Sequence, residues 1–290
     1  MPLRWGGLHR PSLTIIGVQL LAALITIPRW PRIGFHAFGG LPIWWLLTLA
    51  FLVPWLYLAA SPTSDPRVRS VFLALTLIFT GSLIAGPAQY VVVGVGRPVV
   101  DVLALDRALG FDVPRLSHWW LAHYPWTADW LGWAYGTNTG QLLALPVVLG
   151  LFLQDADALW ELVWHATVCS FLCILAFGLW PAGAPAAYYN HANIATWLEL
   201  LRSGHPVPGG LNYDTLQGLI SFPSLHTCWA WMFLWVVRRH GWLVAALLPI
   251  NLLMAAATLL LGLHFGVDLI GTAVVCVVSG ASYRLVARRV

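Results

Sequence analysis

The chain has 290 residues, of which 59% are hydrophobic and only 9% are charged, and its formal net charge is +4. Soluble globular domains carry about 25% charged residues, so this composition excludes a soluble protein and indicates an integral membrane protein. The apolar runs are continuous and about as long as a bilayer-spanning helix, which excludes the short alternating strands of a membrane β-barrel. The small positive charge does not indicate a nucleic-acid ligand.

The hydropathy pattern predicts an all-α polytopic membrane helix bundle that forms a single integral membrane domain over residues 1–290. About eight transmembrane helices are expected. In chain order they are Leu13–Ile27, Leu41–Ala60, Val71–Val95, Trp130–Leu153, Ala156–Trp180, Leu219–Val237, Trp242–Leu263 and Phe265–Val286.

Arginines predict how these helices are oriented, because cytoplasmic connections of membrane proteins are enriched in Lys and Arg. Three regions carry them: Arg67 and Arg69, Arg238 and Arg239, and the C-terminal Arg284, Arg288 and Arg289. With these regions in the cytoplasm the eight spans alternate and both termini are cytoplasmic. Arg29 and Arg32 oppose this orientation and are outnumbered.

Two longer polar segments then lie on the outer side of the membrane. The first, Gly96–Trp126, predicts two short interfacial helices. One contains Val102–Leu109, and the other begins at a cap formed by Asp112. The second segment, Pro181–Gly218, is longer than an ordinary connection, and loops of that length are usually functional or disordered.

Ionisable residues at the outer helix ends indicate a phosphoryl-transfer site. His264 and Asp268, in "GLHFGVD", are four residues apart, so on a helix they share a face and the carboxylate can fix one ring nitrogen. The other nitrogen is then a nucleophile or base. His226, in "SFPSLH", could act as a general acid, and Ser224 lies where a helix start presents free amides to a phosphate.

Other interpretations of these residues remain open at this point. The histidines could be structural, or His226, His264 and Asp268 could bind a metal ion. Zinc sites usually have three or four protein ligands, and no further ligand spacing is present, so we predict neither a metal nor a cofactor. The four cysteines, Cys169, Cys173, Cys228 and Cys276, all lie in apolar runs and are interpreted as reduced packing residues.

The two histidine stretches resemble the motifs of the type 2 phosphatidic acid phosphatase superfamily, which are P-S-x-H followed by H-x-x-x-D. The phrases "LDRALGFD", "LLRSG" and "LQGLISFPSLHT" look most like bacterial relatives of inositol phosphorylceramide synthase. The resemblance covers roughly residues 97–271. It implies residues 69–290 as a phosphatase-like catalytic core, preceded by two extra spans within residues 1–68.

By this resemblance, His264 forms a phosphohistidine, Asp268 orients it, His226 protonates the leaving group and Ser224 binds phosphate. The chain departs from the superfamily at two cationic positions, where Tyr90 replaces a lysine and Thr258 replaces an arginine. A phosphoryl transition state requires fixed positive groups. We expect Arg97 and Arg202 to replace them, with His205 and Arg115 as weaker candidates.

The predicted function is that of a membrane-embedded lipid-phosphate phosphatase or phosphotransferase, which acts on a lipid phosphate or phospholipid. The acceptor is water, inositol or another alcohol. The alternative is a catalytically inactive lipid-binding or transport protein that retains the fold. The expected location is a bacterial inner membrane, with the active site on the periplasmic side.

Overall fold

The described chain is helical. The computed structural model describes residues 10–37, 43–93, 101–182, 192–212 and 218–287. Within these ranges no β-strand forms, and Phe35 and Leu211 make an isolated bridge. The predicted all-α class is therefore confirmed.

Eleven α-helices follow one another along the described ranges. They are α1 (Arg10–Thr26), α2 (Ile43–Ala60), α3 (Pro66–Val93), α4 (Val102–Ala108), α5 (Val113–His123), α6 (Thr127–Val147), α7 (Ala156–Leu179), α8 (Ala192–Arg202), α9 (Leu225–Val236), α10 (Gly241–Leu260) and α11 (Gly266–Ala287). A 3-10 helix, Ile27–Ile33, continues α1, and a π-helical turn, Val148–Phe152, continues α6.

Five described segments are long and apolar enough to cross a bilayer, so the predicted count of about eight spans is not confirmed. They are Arg10–Ile33, Pro66–Val93, Ala156–Leu179, Gly241–Leu260 and Gly266–Ala287, and α2 adds the shorter apolar stretch Trp45–Ala60. Helix α6 is continuous, but its apolar sequence is interrupted by the polar residues 137–139 and 141. Helix α9 has only 12 residues. Its length is about 18 Å, against a hydrocarbon core of about 30 Å.

Helix α9 begins later than the hydropathy pattern predicts, at Leu225 instead of Leu219. A proline disfavours helical geometry in the residue before it, and Pro223 follows this stretch. Other hydrogen bonds hold the non-helical residues. The Leu219 N–H donates to the Gln89 side chain (2.8 Å), and the Ser221 hydroxyl donates to the carbonyl of Ala182 (2.7 Å).

Helices α3 and α7 form the centre of the bundle. Helix α3 packs against α1, α2 and α7, and α7 also packs against α9 and α11. Large buried side chains fill this core, including Phe79, Trp160, Phe177, Met232 and Phe233. Within a membrane such close packing, together with interhelical hydrogen bonds, is the main source of helix association. One such bond joins the Gln19 amide of α1 to the carbonyl of Leu77 at 2.8 Å.

A buried polar network lies where α7 begins and α9 and α11 end. Glu161 accepts hydrogen bonds from Arg238 and Trp235, each at 2.9 Å. His165 lies 3.7 Å from Glu161 and shares a 2.7 Å hydrogen bond with the hydroxyl of Ser279, which joins α7 to α11. His165 therefore takes part in helix–helix bonding far along the bundle from His264.

The four cysteines come together in one buried cluster between α7, α9 and α11. All are free thiols, and the sulfur atoms of Cys173 and Cys228 are 3.8 Å apart. This cluster is not visible in the sequence, because its members lie at positions from 169 to 276. Among the described residues, no group of three or more His, Cys, Asp and Glu side chains has an arrangement that could hold a metal ion.

The two histidine stretches meet at the other end of the bundle, where α9 begins, α10 ends and α11 begins. Both ends of the described chain lie away from it. Arg10 and Leu13 of α1 line a common groove with Leu285 and Val286 of α11. The start of α1 and the end of α11 therefore lie on the same side of the bundle, away from the histidine stretches.

Candidate active site

The turn between α10 and α11 fixes the backbone of His264. The Gly262 N–H donates to the carbonyl of Leu259 and the Leu263 N–H donates to that of Thr258, both at 3.0 Å. This is the Schellman pattern at a helix end, and the φ of 65° at Gly262 is the left-handed conformation that glycine adopts without penalty. The His264 N–H also donates to the Thr258 carbonyl (2.9 Å).

The side chain of His264 is held in one tautomer. Its Nδ1 is 2.6 Å from the backbone carbonyl of Ser221 and 3.3 Å from Oδ2 of Asp268. Both partners are acceptors, so Nδ1 carries the hydrogen and the lone pair of the neutral ring is on Nε2. Within the described part of the chain, Nε2 makes no hydrogen bond. The ring is thus oriented with a free nucleophilic nitrogen.

Asp268 is fully buried in the first turn of α11. Its Oδ2 accepts a hydrogen bond from the Phe265 N–H (2.8 Å) in addition to the contact with His264. The predicted contact between the two residues is therefore present. The carboxylate is therefore held by the same turn that carries the histidine.

The first turn of α9 offers an anion site. Ser224 is its N-cap, and its Oγ accepts hydrogen bonds from the N–H and the hydroxyl of Thr227, at 3.3 and 3.0 Å. The proton of the Ser224 hydroxyl therefore remains available to another acceptor. The Cys228 N–H donates to the Ser224 carbonyl. The N–H groups of Leu225 and His226 lack intrahelical acceptors, as at any helix start, and favour an anion.

Aromatic side chains orient His226. Its ring stacks on Tyr135 of α6, with centroids 3.7 Å apart and planes at 20°, and it meets the ring of Trp229 edge-on at 5.3 Å. His264 contacts the carbonyl of Ser221, five residues before His226, so the two imidazoles belong to the same end of the bundle. Tyr135 was not predicted, because one aromatic residue in an apolar helix carries no distinguishing signal.

Direct contacts between α11 and the start of α9 hold the two histidine stretches together. The Thr272 hydroxyl of α11 lies 3.1 Å from the carbonyl of Ser224. Gly271, on the same helix, faces the ring of Phe222, and a Cβ at Gly271 would lie 2.7 Å from that ring. The absence of a side chain at Gly271 thus allows the residues just before α9 to pack on α11.

Asp106 is a buried site residue that sequence reasoning missed. It lies in α4 with no exposed surface, and its Oδ1 accepts a hydrogen bond from the Val267 N–H at 2.8 Å. A signal was present in the sequence. Asp106 is four residues after the buried Val102, so it lies on the apolar face of a short amphipathic helix, where an acidic residue is unusual.

The predicted phosphate-binding arginines have different outcomes. Arg97 lies outside the described residues. Arg202 ends α8, and its Nη2 and Nε are 2.6 and 3.0 Å from the carboxylate of Glu199. These hydrogen bonds lower the pKa of the Glu199 carboxyl, so the pair stays ionised at neutral pH. In the described structure no hydrogen bond joins Arg202 to either histidine, and its role in phosphate binding stays a prediction.

The residues at the two superfamily cation positions are buried and uncharged. Tyr90 has no exposed surface, and its ring lies 6.5 Å from that of Trp197 in α8. Thr258 is also fully buried and donates its hydroxyl to the carbonyl of Ala255 (2.7 Å). Its backbone carbonyl accepts hydrogen bonds from the N–H groups of Leu263 and His264 in the turn before α11. Positive charge for a phosphate therefore has to come from other residues.

Comparison with known protein families matches the chain to a model of the PAP2 superfamily over residues 100–282. This region is more than half of the 290 residues and includes both histidine stretches. Comparisons with curated proteins and with solved structures found no significant match. The closer likeness to inositol phosphorylceramide synthase is not confirmed. The chain belongs to the PAP2 superfamily and is a membrane protein of the phosphatase or phosphotransferase type.

Proposed function

We propose that the protein is a membrane-embedded lipid-phosphate phosphatase or phosphotransferase that works through a phosphohistidine at His264. The observation that carries this proposal is the hydrogen bonding of Nδ1 to Ser221 and Asp268, which leaves Nε2 as an oriented nucleophile. The start of α9, with the Ser224 hydroxyl and two N–H groups that lack intrahelical acceptors, supports a phosphate site beside it.

In the proposed first step, Nε2 of His264 attacks the phosphorus of the lipid phosphate. A nitrogen–phosphorus bond forms, and the bond from phosphorus to the lipid oxygen breaks. His226, in its protonated form, gives a proton to the departing oxygen and becomes neutral. Asp268 stabilises the positive charge on the phosphorylated imidazole, whose Nδ1 keeps its hydrogen.

In the second step, neutral His226 removes a proton from the acceptor, whose oxygen attacks the phosphohistidine. The nitrogen–phosphorus bond breaks and His264 regains its free Nε2. Water as acceptor makes the protein a phosphatase. With a phospholipid as donor, the phosphorus keeps its headgroup, and a lipid or polyol acceptor makes the protein a headgroup transferase, as in sphingolipid headgroup synthesis. Arg97 and Arg202 are the candidates for neutralising the phosphate oxygens in both steps.

The test is turnover by the purified protein with phosphatidic acid, a prenyl pyrophosphate or a phosphoinositide, each with and without inositol. His264→Ala is expected to abolish phosphate release and transfer. The matched control is His240→Ala, which breaks a histidine–aspartate pair with Asp155 (3.1 Å) at the other end of the bundle. Turnover by His264→Ala would refute the phosphohistidine. No turnover by the wild type with any donor would favour the inactive lipid-binding alternative.

A second experiment tests the role of His226. General acid catalysis matters most for a poor leaving group such as a lipid alcohol. With p-nitrophenyl phosphate, whose leaving group needs no proton, His226→Ala should still form the phosphohistidine. With phosphatidic acid the same variant should be strongly impaired. If phosphohistidine formation were impaired equally with both substrates, His226 would not be the general acid.

We also propose that the active site faces the periplasm of a bacterial inner membrane, with both termini in the cytoplasm. The arginines near 67–69, 238–239 and 284 support this orientation, since they lie at helix ends away from the histidines. Reporter fusions at the C-terminus test it. A fusion that is active only outside the cytoplasm would contradict the proposed orientation.

A further inference from the structure

Helix α4 carries a buried carboxylate that the proposed steps do not use. Asp106 has no exposed surface, and its Oδ1 accepts a hydrogen bond from the Val267 N–H at 2.8 Å. Val267 is the second residue of α11 and directly precedes Asp268. Burial of a carboxylate is unfavourable unless it is hydrogen-bonded, so a protein keeps one only where it has a defined partner.

The start of α11 depends on that partner. The first four N–H groups of a helix have no intrahelical acceptor. In α11 the Asp268 N–H has a local acceptor, the carbonyl of Phe265, at 3.1 Å. The N–H of Val267 donates to the side chain of Asp106, a residue 161 positions earlier in the chain. The catalytic turn is therefore capped from a separate helix.

The same segment makes a second contact with this turn. Phe111 follows α4, and its N–H donates to the carbonyl of Asp106 (2.9 Å). Its ring lies so close to Gly266 that a Cβ there would be 2.7 Å from the ring. Asp106 and Phe111 thus contact adjacent residues of α11, Val267 and Gly266, by a hydrogen bond and by packing.

We propose that Asp106 is a positioning residue for the nucleophile: through Val267 it holds the first turn of α11, so that Oδ2 of Asp268 stays directed at Nδ1 of His264. Asp106 acts through the turn and does not touch the substrate. The proposal rests on the function proposed above, because the cost of misplacing the turn is measured as lost phosphoryl transfer.

The test compares Asp106→Ala with Asp106→Asn in the purified full-length protein. The alanine variant leaves the buried Val267 N–H without an acceptor. Its kcat with phosphatidic acid should fall by about 10- to 150-fold, as for the loss of one buried hydrogen bond, with little change in KM. The asparagine variant keeps a carbonyl acceptor and should recover most of this loss. Rates are expressed per active site from the initial burst of leaving group.

A second measurement is independent of activity. Hydrogen–deuterium exchange of peptides covering residues 262–270 should become faster in Asp106→Ala and stay near wild type in Asp106→Asn. The matched control is Asp112→Asn, in the same segment, where the carboxylate pairs with Arg107 (3.3 Å) instead of α11. Val267→Pro removes the donor instead of the acceptor, and it provides the test if Asp106→Ala does not fold.

Three results would overturn the proposal: a wild-type kcat in Asp106→Ala, an asparagine variant as slow as the alanine variant, or unchanged exchange of residues 262–270 in Asp106→Ala. Failure of the proposed function gives a different result. In that case the wild type shows no turnover that depends on His264, while exchange in the turn still responds to Asp106.

Discussion

Replacement of Asp268 by asparagine tests how the nucleophilic tautomer of His264 is set. In a histidine–aspartate pair where the carboxylate alone holds the ring, this change costs about 10⁴-fold, because the wrong tautomer forms. Here a second acceptor is present. The carbonyl of Ser221 is 2.6 Å from Nδ1, closer than Oδ2 of Asp268 at 3.3 Å. Asp268→Asn should therefore leave the hydrogen on Nδ1.

What the variant loses is a hydrogen bond to a charged group and the stabilisation of a cationic phosphohistidine. A hydrogen bond to a charged group contributes about 1.5–3 kcal/mol. Since each 1.36 kcal/mol corresponds to about tenfold in rate, we expect kcat to fall by about 10- to 150-fold. The assay is the initial rate of phosphate release from a short-chain phosphatidic acid in detergent.

His264→Ala sets the background of this assay, and monodispersity in size-exclusion chromatography shows that each variant is folded. A loss near 10⁴-fold would mean that the Ser221 carbonyl does not hold the tautomer, and it would refute the reasoning. A rate equal to that of the wild type would mean that Asp268 contributes nothing to catalysis.

Three further predictions concern the surroundings of the histidines. Gly271→Ala places a methyl group against the Phe222 ring. Such overpacking should lower the free energy of unfolding by about 1–3 kcal/mol, measured by an unfolding titration in SDS. An unchanged midpoint would contradict the packing. Tyr135→Leu, which removes the ring stacked on His226, should slow phosphohistidine formation from phosphatidic acid and spare phosphohistidine formation from p-nitrophenyl phosphate, whereas equal losses would indicate a general structural role. Arg202→Ala should weaken inhibition by vanadate and Glu199→Gln should strengthen it by freeing the guanidinium; no change in either variant would exclude this arginine from phosphate binding.

Features with a local cause were predicted well from the sequence. The short helices α4 and α5 are both present, and α5 begins after the predicted cap Asp112, whose side chain accepts a hydrogen bond from the Arg115 N–H. N-capping depends only on residues within one turn, so it can be recognised in a single sequence. The contact between His264 and Asp268 belongs to the same class.

Features that depend on distant residues were missed. Hydropathy extended the span of α9 back to Leu219, because those residues are apolar, while their hydrogen bonds to Gln89 and Ala182 come from elsewhere in the fold. The contact of Asp106 with Val267 joins two segments whose proximity no local pattern encodes. A polar residue on the apolar face of a short helix was the available clue to its burial.

The buried cysteine cluster allows thiol labelling to report whether α7, α9 and α11 are packed together. The chain has four cysteines, and all of them are buried where α7, α9 and α11 meet. A maleimide dye should therefore label the native protein little, and it should label four sites once these helices separate. Any single cysteine placed in an exposed loop would react selectively without removal of the native ones. Labelling kinetics can thus follow loop accessibility and helix separation in the same sample.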